Sequence, residues 1–486
     1  MSAFPEILFL FEHTEHSAPI EYAMRLLARV AGVSVRCYGL SERESLSIAD
    51  HSLVITYGKE PPEIANCKNI HIFSDGSFWA HYLTPASLPK TPLKRMDGLP
   101  IIYTGSQGVP YHVTYGRSNL VTDIDLVAST LFMATRYEES LGVEYHDRHR
   151  RYPAIASLAY REGFLDRPVV HEYAEVLWSW LKYLEPGLER SPRWGQNTWA
   201  ACITHDVDSL RRYSYPPLNT MAKAIKDGEP GRSLGILREY VRVISGRQPD
   251  PYDTIDYLVT QEIEHGLTPT FFLMAGPYGL KNFRRQDYRL NDPKVRRILR
   301  TLTSHGCEIA LHSSYDAFDN LELLHQEKAA LMEAAGEDIA GMRQHFLRFK
   351  APDSWRLWEQ AGFSYDASLG YAEQEGFRSG LCIPYHPFDV WENRELALWE
   401  VPLTVMEGSL FEYQQMEAEA VTQRLRKMID RVIGVGGVFV ALWHNSFLDD
   451  RVYPGSRTVY RQMLQDIAGK QPLGLSISQT IERVSR

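Results

Sequence analysis

The chain has 486 residues, of which 44% are hydrophobic and 23% charged, a composition that excludes disordered and fibrous classes and predicts a packed fold. A formal charge of −9, with Lys and Arg scattered, leaves no basic stripe to neutralise phosphates and excludes nucleic acid as a partner. No run of roughly 18 apolar residues occurs, so no membrane partner is expected, and the start from Met1 to Phe11 lacks a basic export leader, so a cytoplasmic location is expected.

The length exceeds what one hydrophobic core usually serves, and two domains are expected. Five cysteines (Cys37, Cys67, Cys202, Cys307, Cys382) are far apart and form no Cys-x-x-Cys, which predicts buried thiols rather than disulfides or a cysteine zinc site.

In chain order, the apolar run Ile7 to Phe11, the amphipathic segment Pro19 to Ala31 and the run Val33 to Tyr38 predict strand, helix, strand. Short apolar runs follow at Leu53 to Tyr57, Ile70 to Phe73 and Pro100 to Tyr103, with helical spacing at Ile124 to Arg136 and Val169 to Tyr183. This pattern predicts a smaller α/β layer domain over residues 1–190. Prolines and glycines in a charged stretch near Glu185 to Gly195 mark the break, and the second domain is placed at 196–486.

Beyond the break, strand-like runs at Ala200 to Thr204, Thr268 to Met274, Glu308 to His312, Met342 to Phe346, Ser364 to Leu369, Leu398 to Pro402 and Gly437 to Trp443 alternate with helical stretches. The helical stretches include Thr254 to His265, Val295 to Ser304, Leu321 to Ala335, Ser354 to Ala361 and Ala418 to Ile433. The alternation predicts a distorted (β/α) barrel of about seven strands, with functional groups at the strands' C-terminal ends. Those ends carry Asp206 and Asp208, His312, Arg343 and His345, Asp366, and His444.

The set suits metal-assisted amide hydrolysis. One carboxylate and imidazoles hold a divalent ion with an open position, a second carboxylate accepts the proton of the attacking water, an arginine keeps that base ionised, and a histidine protonates the leaving amine.

On these residues the region from about 199 to 486 resembles the polysaccharide deacetylases, the NodB-like carbohydrate esterases. Thr204-His205-Asp206-Val207-Asp208 is similar to their first motif, which implies Asp206 as catalytic base and Asp208 as metal ligand. Leu442-Trp443-His444 resembles the fifth motif and implies His444 as general acid, while Arg343 matches the arginine of the third, with Arg348 competing for that place. Tyr365 to Leu369 resembles the fourth motif, which implies a supporting role for Asp366. The second motif departs, because His312-Ser313-Ser314-Tyr315-Asp316 lacks its second histidine. Either His345 or Asp316 supplies the third ligand, and the ion implied is zinc, with cobalt, nickel or manganese as alternatives.

The resemblance implies removal of an acyl group, acetyl in the first instance, from an amino sugar or polysaccharide, and so a carbohydrate substrate. Trp443 is the foremost candidate for stacking on a sugar, with Tyr315, Trp355, Trp358, Tyr371, Tyr385 and Trp391 nearby, and His205 is placed as packing or as a group tuning the base. Ser129 to Glu139 and Tyr152 to Ser157 resemble the domain preceding the barrel in some members, a domain with no known role. The charged cluster Arg136, Glu138, Glu139, Asp147, Arg148 and Arg151 reads as a solvated or interdomain ion-pair face, or a substrate-side loop. Two other readings compete: a carbohydrate-binding protein on a decayed barrel, and a glycosyltransferase using Asp206-Val207-Asp208 as a metal-binding Asp-x-Asp. Oligomeric state is not legible.

Overall fold

The computed structural model describes residues 6–12, 15–45, 53–64, 67–105, 113–142, 146–277, 279 and 286–485. The first five residues, which enter the export-leader expectation, lie outside them.

The N-terminal α/β region is built on a six-stranded sheet. Its strands are β1 (Glu6–Phe11), β2 (Ser34–Gly39), β3 (Leu53–Gly58), β4 (Lys68–Phe73), β5 (Val113–Tyr115) and β6 (Asn119–Thr122), in the order β2-β1-β3-β4-β6-β5. All pairs are parallel except the β5–β6 hairpin. Continuous apolar runs such as Leu53–Tyr57 are what a strand covered on both faces requires. Helix α1 (Ser17–Ala31) joins β1 to β2 and ends at Gly32, whose φ of 80° closes the helix in the left-handed conformation. It packs against α2 (Leu126–Ala134) and α3 (Val169–Leu184). The expected strand at Pro100 to Tyr103 is observed only as Leu99–Ile101, paired antiparallel with Lys94–Met96 in a ribbon off the main sheet. Strands β5 and β6 were not anticipated, because they are short and polar.

The C-terminal region is a curved, open parallel sheet. Its strands are β7 (Ala200–Val207), β8 (Thr270–Met274), β9 (Glu308–Ser313), β10 (Gly341–Gln344), β11 (Tyr365–Asp366), β12 (Trp399–Glu400), β13 (Val405–Met406), β14 (Val438–Leu442) and β15 (Leu473–Gly474). Their order is β12-β11-β10-β9-β8-β7-β14-β13, with β15 on the side of β7, and among the described residues β12 and β13 do not pair to close the barrel. Each of the seven anticipated strands has a counterpart, although Ser364 to Leu369 shrinks to Tyr365–Asp366, because Ser368 turns back to donate to Asp366. The distortion follows from that region: β11, β12 and β13 have two residues each, and the chain between β11 and β12 runs without a helix.

Helices α6 (Ile255–Glu264), α7 (Pro293–Ser304), α8 (Leu321–Ala335), α9 (Asp353–Gln360), α10 (Ala418–Gly434) and α11 (Ser456–Ala468) cover the outside. An unanticipated hairpin, α4 (Leu218–Lys226) and α5 (Pro230–Ile244), is inserted between β7 and α6.

The two regions share one continuous hydrophobic core, in which Tyr22, Leu181, Tyr371, Tyr385 and Phe388 all take part. Buried ion pairs reinforce it. Arg136, fully buried, meets Glu139 at 2.8 Å and Glu138 at 3.2 Å, and Arg378 from the C-terminal region meets Glu139 at 2.6 Å. Arg136, Glu138 and Glu139 thus belong to a buried interregion face, whereas Asp147 is half-buried and Arg148 exposed.

Candidate metal centre

Strand alternation decides which side chains enter the barrel. On β7 and just beyond it, Thr204, Asp206 and Asp208 share the inner face. His205 points outward, where its Nε2 meets Glu262 of α6 at 2.6 Å and its Nδ1 meets the Trp443 carbonyl at 2.6 Å. His205 is therefore packing and does not touch Asp206. The same rule corrects Trp443. Between inward Leu442 and His444 it faces out, only 1% exposed, against Tyr460 of α11 at 5.2 Å, and it cannot stack on a substrate.

In parallel register His312 lies beside Arg343, and both project to the barrel axis with Asp206. Arg343 donates from Nη1 to Asp206 Oδ1 at 2.9 Å and to Thr204 Oγ1 at 2.8 Å, and from Nε to the Ala367 carbonyl at 2.8 Å. Arg348 instead lies over the rings of Tyr315 and Phe318, so Arg343 is the arginine at the carboxylate.

Asp208, His312 and His345 each place one donor atom within 4.8 Å of the other two, as three ligands of one ion would. Asp208 Oδ1 is 3.1 Å from His312 Nε2 and 3.5 Å from His345 Nδ1, and those two ring nitrogens are 3.0 Å apart. Nδ1 of His312 is engaged by the Arg343 carbonyl at 3.0 Å, which fixes the ring with Nε2 toward the group. His345 thus stands in the cluster. Asp316 is exposed on the short turn Tyr315–Asp319 and lies outside it.

His345 is brought in by a strained turn. Phe346 and Leu347 have φ of 63° and 51°, conformations that L side chains adopt only where the surroundings impose them. The turn is held from the N-terminal region. Arg151 Nη1 donates to the Phe346 carbonyl at 2.9 Å, its Nε donates to Asp147 at 2.7 Å, and the His149 ring packs on Phe346 at 4.6 Å.

The fourth side of the group is His444, whose Nε2 is 3.8 Å from Asp208 Oδ2. Its backbone N–H and its Nδ1 both meet Glu407 Oε1 at 2.6 Å. Glu407 is 1% exposed and follows β13. Sequence reading missed it: a two-residue strand leaves no apolar run whose end would draw attention. Asp366 is not a partner of His444: it accepts Ser368 N, pairs with Glu400 and lies within electrostatic reach of Arg343.

The electrostatics push these groups apart. Burial works against ionisation of Asp206, but His312 and Arg343 outweigh it and hold the carboxyl below the usual carboxylate range. Burial likewise opposes Asp208, and His345 and His312 outweigh it in the same sense. Burial pushes His345 down to about 4 against the pull of Asp208. His444 is pushed up to about 10, because Glu407 outweighs the cost of burial. Two ionised carboxylates thus face imidazoles whose nitrogens converge on one point, an environment suited to a cation.

These side chains line a cavity of about 290 Å³ whose wall includes Tyr252, Phe346, Tyr413, Phe447 and Tyr453, with Arg151 reaching in from the N-terminal region. None of the aromatic side chains singled out from the sequence is among them; Trp355, Trp358, Tyr371 and Tyr385 are core. A larger cavity of about 1160 Å³ between α7 and α8 has Arg289, Arg296, Arg300 and Glu333 on its lining but no converging acid and base, so size does not locate the chemistry.

Comparison with known proteins matches residues 8–186 to DUF7033, a family of unknown function. No curated protein matches the chain. Among solved structures, a Mycobacterium smegmatis protein named as a polysaccharide deacetylase is 18% identical with a TM-score of 0.40, covering 60% of this chain and 92% of that one. A CE4 family pseudoenzyme from Bacillus anthracis is 9% identical with a TM-score of 0.32, covering 60% of this chain and 67% of its own. The peptidoglycan deacetylase PdaC from Bacillus subtilis is 12% identical with a TM-score of 0.30, covering 61% and 94%.

Proposed function

We propose that the protein is a metal-dependent hydrolase that removes an acyl group, acetyl in the first instance, from the nitrogen of an amino sugar. The observation that carries the reading is the convergence of Asp208, His312 and His345 between Asp206 and His444 at one cavity. The donor set fits a divalent ion: one carboxylate and two imidazoles, one ring fixed by a carbonyl behind it, with room for a fourth ligand. Zinc suits that set, and cobalt, nickel or manganese would also bind.

When bound, a divalent ion supplies Lewis acidity to the amide carbonyl and to water. Asp206, kept ionised by Arg343, takes the proton of the attacking water. The water oxygen adds to the acyl carbon. His444 holds a proton at Nε2, on the side of the group where its ring meets Asp208, and gives it to the departing nitrogen as the C–N bond breaks. Glu407 fixes the ring and favours its protonated form. The products are a free amine and a carboxylate. Arg343 is a positioning residue, since it acts through Asp206.

The binding-protein alternative was motivated by the missing histidine of the second motif. With His345 beside His312, and with an acid and a base that pure binding does not use, hydrolysis is the stronger reading. Acetate release from a panel of N-acetylated sugars tests it. Wild-type protein is expected to release acetate from at least one substrate. Release no greater than that of Asp206→Asn on every substrate would sink the proposal.

A further inference from the structure

Apolar side chains left in water are unevenly distributed over this protein. Of the fifteen large hydrophobic residues exposed among the described residues, seven lie between Tyr215 and Ile244, on the α4–α5 hairpin and the turn before it. Single exposed hydrophobics are ordinary, but such a concentration marks an interaction surface. Leu234, Leu237, Val241 and Ile244 are 39–58% exposed and recur at spacings that put them on one face of α5, while Ile236, Tyr240 and Val243 are half-buried on the other. Leu218 and Ile225, 67% and 60% exposed, form a second stripe on α4.

The hairpin is also basic on an acidic protein. Residues 218–247 hold Lys223, Lys226, Arg232, Arg238, Arg242 and Arg247 against Asp227, Glu229 and Glu239, whereas the whole chain carries −9. Two of those acids are already engaged, Glu229 with Arg232 at 2.9 Å and Glu239 with Arg451 at 2.6 Å. At 100° per residue Arg238 and Arg242 both lie along one side of the exposed stripe of α5, and Lys226 lies beside that of α4, with Lys223 on the opposite face.

The insertion stands at the mouth of the metal centre. Its ends, Ser209 and Tyr252, line the cavity, and Asn445, next to His444, donates from Nδ2 to both their carbonyls at 2.9 Å. The Arg212 N–H donates to Asp250 at 2.9 Å and closes the base of the loop.

We infer that the α4–α5 hairpin lies in the headgroup layer of an anionic lipid surface and docks the mouth of the cavity against it. An exposed apolar stripe with cationic flanks is the pattern of an interfacial helix. Among the described residues no helix is long and apolar enough to cross a membrane, and α5 has 15 residues, so the hairpin lies on the surface rather than spanning it. The expectation of no membrane partner rested on the missing span, which an interfacial hairpin does not need. A symmetric contact with a second copy would set these cationic flanks against each other. Taken with the proposed deacylation, on which this step rests, docking points to an acylated amino sugar carried on a lipid as the substrate class.

Co-sedimentation of the full chain with vesicles of phosphatidylcholine alone, or with about one third phosphatidylglycerol, tests the docking. Wild-type protein is expected to pellet with the anionic vesicles and at least ~10-fold less with the neutral ones. Two double variants at exposed positions, Leu237→Asn with Val241→Asn and Arg238→Glu with Arg242→Glu, are each expected to lose at least ~10-fold of that binding while cleaving soluble acetylated sugars as wild type does. Absence of vesicle binding, or binding unchanged in both variants, overturns the inference. So does a wild-type dimer in light scattering that Leu237→Asn with Val241→Asn dissolves, which would make this face a self-contact. Vesicle binding without acetate release on any substrate sinks the deacylation reading and leaves docking standing, whereas acetate release without vesicle binding does the reverse.

Discussion

The two sheets of this molecule are both largely parallel, both covered by helices, and both bury ionisable groups, yet only one gathers them into a reactive set. In the N-terminal sheet Asp125 is fully buried, but it accepts the Tyr57 hydroxyl at 2.9 Å and the N–H groups of Asp75 and Ala128 at 2.7 and 2.8 Å, capping α2. Burial pushes it up to about 7. His71 meets Thr56 Oγ1 at 2.9 Å and is pushed down to about 4 by burial. Each group is disposed of singly. In the barrel, charges face charges: Asp206 and Asp208 against His312, His345 and His444, with shifts in opposite directions. Convergence of acids and imidazoles on one cavity, rather than burial of charge, distinguishes a site from a core.

The largest expected effects break that comparison directly. Asp208→Ala and His312→Ala should each lower bound metal, read by mass spectrometry, from near one ion per chain to below about a tenth. Asp125→Asn should leave metal unchanged and cost about 1 kcal/mol of stability in denaturant melts, because the amide oxygen keeps the α2 cap while its NH2 cannot accept from Tyr57 and Asp75. Metal lost from Asp125→Asn but retained by Asp208→Ala would invert the assignment. Next, Asp206→Asn should keep the metal and lose about 10³-fold in kcat, and Glu407→Gln about 10²-fold with KM within about twofold. A rise in KM alone would place Glu407 in binding instead.

Much of this was legible in the sequence. The alternation of apolar runs and helices located both sheets, and Asp206, Asp208, His312, Arg343, His345 and His444 all stand where strands end. What the sequence hid has two causes. Glu407 follows β13, which is too short to leave a periodic signal. Arg151 belongs to the charged cluster for which the sequence allows a substrate-side loop, but its partner, the strained turn nearly 200 residues later, is not legible, because spacing carries no information about such a meeting. The misplacement of Trp443 is different, since strand alternation between Leu442 and His444 already puts it outside.

Arg151 sharpens the comparison, because through it the N-terminal region contributes to the barrel's site without bringing an acid or base of its own. Arg151→Ala should free the Phe346 turn and weaken metal binding, measured by competition with a chelator, by about 10-fold, with kcat/KM falling in parallel. Metal affinity equal to wild type with a raised KM would make Arg151 a substrate contact and not a support of His345.

The smallest expected effect concerns a carboxylate pair in the barrel that behaves like the N-terminal sheet. Asp366 and Glu400 are both fully buried and hydrogen-bonded to each other, and Trp355 Nε1 donates to Glu400 at 2.7 Å. Burial and the Asp366 charge hold Glu400 well above the usual carboxylate range, and burial pushes Asp366 up to about 6. Both groups bind protons more tightly folded than unfolded. Their contribution to stability is therefore complete below the unfolded range near pH ~4 and is lost as pH rises through about 6 for Asp366 and higher for Glu400. Glu400→Gln keeps a donor toward Asp366 and an acceptor for Trp355, but has no proton to lose. The variant should show a flatter stability curve between about pH 5 and 8 and gain about 1 kcal/mol at the upper end, read from denaturant melts. A slope equal to that of wild type would mean that the pair does not hold its proton in the folded protein. Asp366 would then be free to act on Arg343, and the supporting role implied for it by sequence would return.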